Sequence, residues 1–222
     1  MQEIQEIERN IPLGERVYDL IKKMITDGEL EPSQAVPESV LAKRLGVSRS
    51  PVKAALTRLQ EDGLVVGEAW KKPHVAPLDR RYVNNAYQVR KALDAQCAIQ
   101  AIGNIPPARI EEYAKMLDEA KVGLETNDPS RVRDAFFFLQ QLLQDYCDND
   151  LLRGMQGKLH DHLTRIRNAI HKSDDGEWLK MEYWMLREQL DALRARDASR
   201  LVTTLNNQHD QFVRWLFSNW QL

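Results

Sequence analysis

Glycine and proline are distributed unevenly along this chain of 222 residues. Five of the ten glycines and six of the nine prolines lie before residue 78, where they divide the sequence into short segments. Beyond that point apolar residues recur at helical spacing over long stretches, with breaks near 103–107, 126–129, 147–150 and 173–176. We therefore predict two domains, residues 1–78 and 79–222, of which the second is entirely helical.

Composition narrows the class of protein. The chain is 43% hydrophobic, so it can form a core, and its formal net charge of -2 excludes a globally basic protein that coats nucleic acid but not a local basic face. Cys97 and Cys147 are fifty positions apart and fit free thiols in a reducing compartment. An acidic, polar start and the lack of a long apolar run predict a cytoplasmic protein without membrane contact.

The first domain is predicted to hold three helices and a β-hairpin. Pro37 begins a short helix that Gly46 ends, and Ser48 is a typical N-cap for the next helix. Strands are expected at 64–66 and 74–76, around a tip at 71–73. This order is that of a helix-turn-helix followed by a wing, so we expect a mainly α fold.

The third helix is the candidate for DNA recognition. Its apolar residues recur at i, i+3, i+4 and i+7, which leaves a polar face on the other side. Five basic residues and no acidic ones lie between 39 and 60. This concentration predicts contact with DNA, although a solvated helix face is the alternative. The predicted DNA-binding residues, in this helix and at the wing tip, are Ser48, Arg49, Ser50, Lys53, Thr57, Lys71 and Lys72.

Residues 41–59 carry a family resemblance. The run Leu41-Ala42-x-x-Leu45-Gly46-Val47-Ser48-Arg49-Ser50-Pro51-Val52-Lys53-x-Ala55-Leu56-x-x-Leu59 resembles the winged helix of the GntR family of transcriptional regulators. The resemblance implies that the positions of Ser48, Arg49, Ser50 and Lys53 contact DNA. Lys53 stands where the family usually has arginine, which keeps the charge and loses the planar fork.

The second half resembles the all-helical FCD-type ligand-binding domain of the FadR branch of that family. Tyr87-x-Val89-Arg90-x-x-Leu93-Asp94 resembles its opening helix, and Asn149-Asp150-Leu151-Leu152 and Asp197 match later positions. The resemblance implies a regulator, usually a repressor, that acts as a homodimer on a double-stranded operator and responds to a small molecule.

The same resemblance implies a divalent metal held by one aspartate and three histidines. Counted from Asn149 and Asp197, the corresponding positions are Phe136, Gln140, Leu186 and Gln208. None has the aspartate or histidine side chain that the resemblance implies. We therefore expect no metal and no other cofactor, and a pocket with a more apolar floor than in metal-binding relatives.

The predicted effector-binding residues are the four implied metal positions together with two arginines and one histidine of the helical domain. They are Arg90, Phe136, Gln140, His162, Arg165, Leu186 and Gln208. Gln140 and Gln208 interrupt apolar stripes, so each is either hydrogen-bonded in the core or in contact with a ligand. Arg90 or Arg165 would anchor an organic acid; otherwise the effector is a less charged, more apolar metabolite. Trp178 and Trp184 are expected near the pocket, mostly in the core.

Two other classes compete with a ligand-responsive regulator. An enzyme is disfavoured because the sequence lacks a Gly-rich phosphate loop, a G-x-S-x-G elbow and a zinc motif. The remaining alternative is a helical protein-interaction regulator that has lost effector binding.

Overall fold

The computed structural model describes residues 12–67, 72–126, 128, 130–170 and 176–219. The chain divides into two compact units, Met1–Leu78 and Asp79–Leu222. In its described part the first unit contains three helices and a two-stranded antiparallel sheet: α1 (Leu13–Thr26), α2 (Glu38–Leu45), α3 (Arg49–Glu61), β1 (Val65–Val66) and β2 (His74–Val75). Each strand is one residue shorter than predicted.

The turn between α2 and α3 follows from two residues. Gly46 adopts a left-handed conformation with φ of +66°, which ends α2 at little steric cost. Ser48 is the N-cap of α3, as predicted, but its side chain makes no capping hydrogen bond. Its hydroxyl is therefore not used to satisfy the first amides of the helix.

The helical unit consists in its described part of six helices, each within two residues of its predicted bounds. They are α4 (Arg80–Ala101), α5 (Pro107–Glu125), α6 (Ser130–Asp145), α7 (Asp150–Ile170), α8 (Gly176–Ala195) and α9 (Ala198–Asn219). The fold is mainly α, as the sequence predicts. No helix in the described ranges is long and apolar enough to cross a membrane.

Helix packing leaves a gap on one side of this bundle. α4 packs along α9 and α7, α5 packs against α6 and α8, and α8 packs against α9. α6 and α7 both contact α4 but hardly contact each other. A cleft therefore opens between α6 and α7, with α4 as its floor.

Two aromatic residues of the helical unit are exposed, and one of them, Trp184, was expected to lie mostly in the core. Trp184 is 65% exposed and Phe137 is 42% exposed. Each follows a buried aromatic residue by one position, Tyr183 and Phe136 respectively, and one residue of helix turns a side chain by about 100°. The buried stripes of α8 and α6 are thus narrower than the aromatic runs in the sequence.

Candidate nucleic-acid interface and ligand cavity

One face of α3 is polar and exposed. Its buried face consists of Val52, Ala55, Leu56 and Leu59. The opposite side exposes the five predicted contact residues of this region: Ser48, Arg49, Ser50, Lys53 and Thr57. At the wing Lys72 is also exposed, whereas Lys71 lies outside the described residues.

The five basic residues of this region divide into two groups. Arg44 forms an ion pair with Glu29, and the Arg58 guanidinium lies 4.1 Å from the centroid of the Tyr18 ring. The other three, Lys43, Arg49 and Lys53, make no ion pair with any described residue. Arg49 and Lys53 therefore present uncompensated charge beside the N-terminus of α3, whose free amides also favour phosphate.

Two connected cavities lie in the helical unit. The aromatic cavity, bordered by α4, α6, α7, α8 and α9, has a volume of about 50 Å³, and its aromatic lining residues are Tyr87, Phe136, Trp178, Phe212 and Trp215. The polar cleft between α6 and α7 has a volume of about 440 Å³. Residues Arg90, Phe136, Phe137 and Arg167 line both of them.

Four of the predicted effector residues line these cavities. Arg90 and Phe136 border both, Gln208 faces the aromatic cavity and Gln140 faces the polar cleft. Trp178 also borders the aromatic cavity, as expected, while the exposed Trp184 does not.

The other three predicted residues line neither cavity. Leu186 is fully buried, and its carbonyl accepts a hydrogen bond from the Tyr113 hydroxyl. His162 Nδ1 contacts the hydroxyl of Tyr82 on α4, and the Arg165 guanidinium lies 5.2 Å from the centroid of that ring. These two residues of α7 therefore fix the start of α4.

Arg167 is the cation that sequence reasoning passed over in favour of Arg165. Its guanidinium lies 4.5 Å from the ring centroid of Phe137 and 5.1 Å from that of Phe136. Burial lowers the pKa of Arg167, and the nearby charge of Arg90 adds to that effect. Arg167 lies about one turn after Leu163, which also lines the polar cleft from α7.

Arg90 is neutralised by a buried carboxylate. Asp94 Oδ2 accepts from Arg90 Nε at 3.1 Å and lies 3.0 Å from His209 Nε2. Burial opposes ionisation of Asp94, but the hydrogen bond from His209 and the charge of Arg90 hold its pKa at about 2. Burial lowers the pKa of His209, so the neutral imidazole donates its Nε2–H to Asp94.

A second carboxylate faces the aromatic cavity. Glu182 Oε1 accepts from Gln208 Nε2 at 3.1 Å, and Gln208 Oε1 accepts from Gln189 Nε2 at 3.0 Å. Burial raises the pKa of Glu182 to about 7 in spite of the neighbouring charges of Arg167 and Arg90. At neutral pH Glu182 is therefore only partly ionised and does not fully offset Arg167.

The residues at the implied metal positions do not fit a metal ion. Phe136 and Leu186 have no donor atom, and both ends of the Gln208 amide are occupied by hydrogen bonds. Within the described ranges, no three His, Cys, Asp or Glu side chains form a group that could hold a metal. Positive charge in this cavity comes from guanidinium groups.

Both structural units match known protein families. Residues 13–69 match the family described as bacterial regulatory proteins, gntR family, and residues 85–209 match the FCD domain. The HTH-type transcriptional repressor RspR of Escherichia coli is 25% identical over 209 residues, which cover 91% of this chain and 87% of that protein. The uncharacterized HTH-type transcriptional regulator YdhC of Bacillus subtilis is 27% identical over 169 residues, 73% of this chain and 74% of that protein.

Solved structures share the fold. Escherichia coli McbR/YncC superposes with a TM-score of 0.70 at 19% identity, covering 94% of this chain and 98% of the other. A transcriptional regulator from Rhodococcus superposes with a TM-score of 0.68 at 18% identity, covering 94% and 99%. The chain thus belongs to the GntR family of bacterial regulatory proteins, in the group that carries an FCD domain, and it is a DNA-binding transcriptional regulator.

Proposed function

We propose that this regulator is a repressor whose operator affinity is controlled by a small carboxylate anion bound in the helical unit between Arg90 and Arg167. The observation that carries the proposal is Arg167, which borders both cavities and forms no ion pair with any described residue. The name of the related repressor RspR supports the direction of regulation. The regulators among its relatives support a role without catalysis, at operator DNA in the bacterial cytoplasm.

For DNA recognition we assign the exposed face of α3 to the major groove. Ser48 and Ser50 flank Arg49 at the start of the helix, where side-chain hydroxyls and main-chain amides suit phosphate oxygens. Arg49 is the residue whose planar guanidinium suits a guanine edge, and Lys53 adds a point charge one turn later. The Thr57 hydroxyl donates to the carbonyl of Lys53 at 3.1 Å, so its methyl group faces outward to bases or sugars.

Arg49→Ala should weaken specific operator binding by roughly 1–3 kcal/mol, the usual value of a bidentate base contact. The measurement is an operator titration by fluorescence anisotropy. Arg200→Ala, which removes an arginine from an exposed pair with Asp191 in the helical unit, is the matched control and should leave affinity unchanged. Equal operator affinity for Arg49→Ala and the parent would show that α3 does not read DNA through this residue.

The electrostatics of the cavities favour an acid as effector. The charge of Arg90 is matched by Asp94, and Glu182 is only partly ionised near neutral pH. Arg167, with Arg133 also lining the aromatic cavity, thus leaves an excess of positive charge beside the rings of Phe136 and Phe137, where a carboxylate gains more than it would in water. A guanidinium in this position takes over the anion-attracting role that a metal ion would otherwise have.

Arg167→Met should abolish the rise in melting temperature that millimolar short-chain carboxylates cause in the parent protein, because the variant keeps the aliphatic stem and loses the charge. Arg165→Met is the matched control, since that guanidinium packs on Tyr82 outside both cavities. The control should retain the carboxylate-induced shift. Retention of the shift by Arg167→Met, or its loss in Arg165→Met alone, contradicts the assignment.

The same carboxylate titration should depend on pH through Glu182. Its pKa is raised to about 7, so the proton is held below that pH and lost above it, where the carboxylate competes with the ligand for Arg167. Carboxylate affinity should therefore weaken by up to about tenfold per pH unit above neutrality. Glu182→Gln keeps an acceptor for Gln208 and should remove this dependence; an unchanged pH profile in the variant would exclude Glu182 as its source.

We further propose that the regulator binds its operator as a homodimer. One winged helix contacts too few base pairs for specific binding, whereas a two-fold dimer doubles the contacts and matches a palindromic operator. Light scattering of the full chain at micromolar concentration should give twice the chain mass of 25.7 kDa. A chain that stays monomeric both alone and on its operator would overturn this proposal.

A further inference from the structure

The polar cleft contains a buried acceptor without a partner. Gln156, on α7, is 7% exposed, and its Nε2 donates to Asp94 Oδ1 at 3.0 Å. Because an ionised carboxylate can only accept, this bond fixes which end of the amide faces Asp94. The other end, Oε1, is buried and has no hydrogen-bond partner.

A buried donor without a partner lies on the opposite wall. Gln140, on α6, borders the same cleft, and its Nε2 is buried with no acceptor within reach. A buried polar group without a partner costs on the order of 1–3 kcal/mol, and folded proteins rarely retain one without a use. Here the two residues that carry one unpaired donor and one unpaired acceptor line the same cleft, from two helices that hardly contact each other.

The two cavities can hold different parts of one molecule. At about 50 Å³ the aromatic cavity has room for little more than a carboxylate group, while the polar cleft, at about 440 Å³, is within the usual range for metabolite sites. Arg90 and Arg167 stand where they meet. A ligand whose anionic group contacts these arginines would place the rest of its length in the cleft.

We propose that the effector is a carboxylate that also carries an uncharged group with both a donor and an acceptor, such as a primary amide, recognised by Gln140 and Gln156. The acceptor of that group takes the Gln140 Nε2–H, and its donor reaches Gln156 Oε1. This assignment rests on the proposed anion site at Arg167 and adds the chemical class of the second group.

The two unpaired amide atoms distinguish such a ligand from two simpler kinds, a carboxylate with a hydrocarbon tail and a dicarboxylate. A hydrocarbon tail would leave both amide atoms unpaired, at the full cost of burying them. A second carboxylate could accept from Gln140 but would set an anionic oxygen against the Gln156 carbonyl oxygen, with Asp94 directly behind it. A group that donates on one side and accepts on the other satisfies both atoms.

The experiment compares matched probes on the full chain by calorimetry and thermal shift. Succinamate is paired with 4-methylpentanoate, and glutaramate with 5-methylhexanoate; each pair shares its length and carboxylate and differs by amide against isopropyl. In one or both pairs the probe with the amide should bind at least about tenfold more tightly than its isopropyl counterpart. Equal binding within both pairs overturns the amide assignment and leaves the anion site standing. If no probe binds, the anion site fails and this inference fails with it.

A variant of α6 gives a second test, one part of which needs no ligand. Gln140→Leu should raise the melting temperature of the ligand-free protein, because it replaces an unpaired buried amide. It should also reduce the amide preference, the ratio of the affinities for the amide probe and its isopropyl counterpart, to about one. Gln211→Leu is the matched control, an exposed glutamine of α9 that lines neither cavity and has no buried unpaired atom, and it should change neither quantity. A lower melting temperature for Gln140→Leu, or an undiminished amide preference, would show that Gln140 is a structural residue and overturn the proposal.

Discussion

The buried carboxylate of Asp94 determines the electrostatics of the helical unit. It accepts hydrogen bonds from Arg90 on its own helix, from Gln156 on α7 and from His209 on α9, so one side chain joins three helices. The hydrogen bond from His209 and the charge of Arg90 hold its pKa at about 2, and the charge of Arg90 is thereby matched inside the protein. Removing one partner from such a network leaves an uncompensated group in the core, so the network is expected to be rigid.

The ligand argument follows from that network. With Arg90 matched, Arg167 and Arg133 are the remaining cations that line the aromatic cavity. The Arg167 guanidinium lies beside the rings of Phe136 and Phe137 and makes no hydrogen bond or ion pair with any described residue. Because Asp94 fixes the orientation of the Gln156 amide, the atom of that amide left without a partner is an acceptor. Asp94 therefore both neutralises Arg90 and orients the amide of Gln156.

Local sequence patterns were sufficient to predict the fold and the position of α3. Gly46, Pro37 and the apolar spacing of α3 act within one or two turns, and each had its expected structural effect. The cavity was predicted less well because it depends on how α7 is rotated against α4. Arg165 and Arg167 differ by two residues, or about 200° around the helix, and only the packing decides which of them reaches the cavity. That rotation directs Arg165 to Tyr82 and Arg167 to the cavity.

Metal content tests the central claim most directly, namely that guanidinium groups take the place of a metal as the cationic anchor of this FCD domain. Phe136 and Leu186 provide no ligand atom, and the amide of Gln208 is bonded at both ends. Elemental analysis of the full chain, purified without chelator, should find zinc, nickel and manganese far below one atom per chain. One equivalent of any of these metals, removable by a chelator with loss of carboxylate binding, would contradict the account.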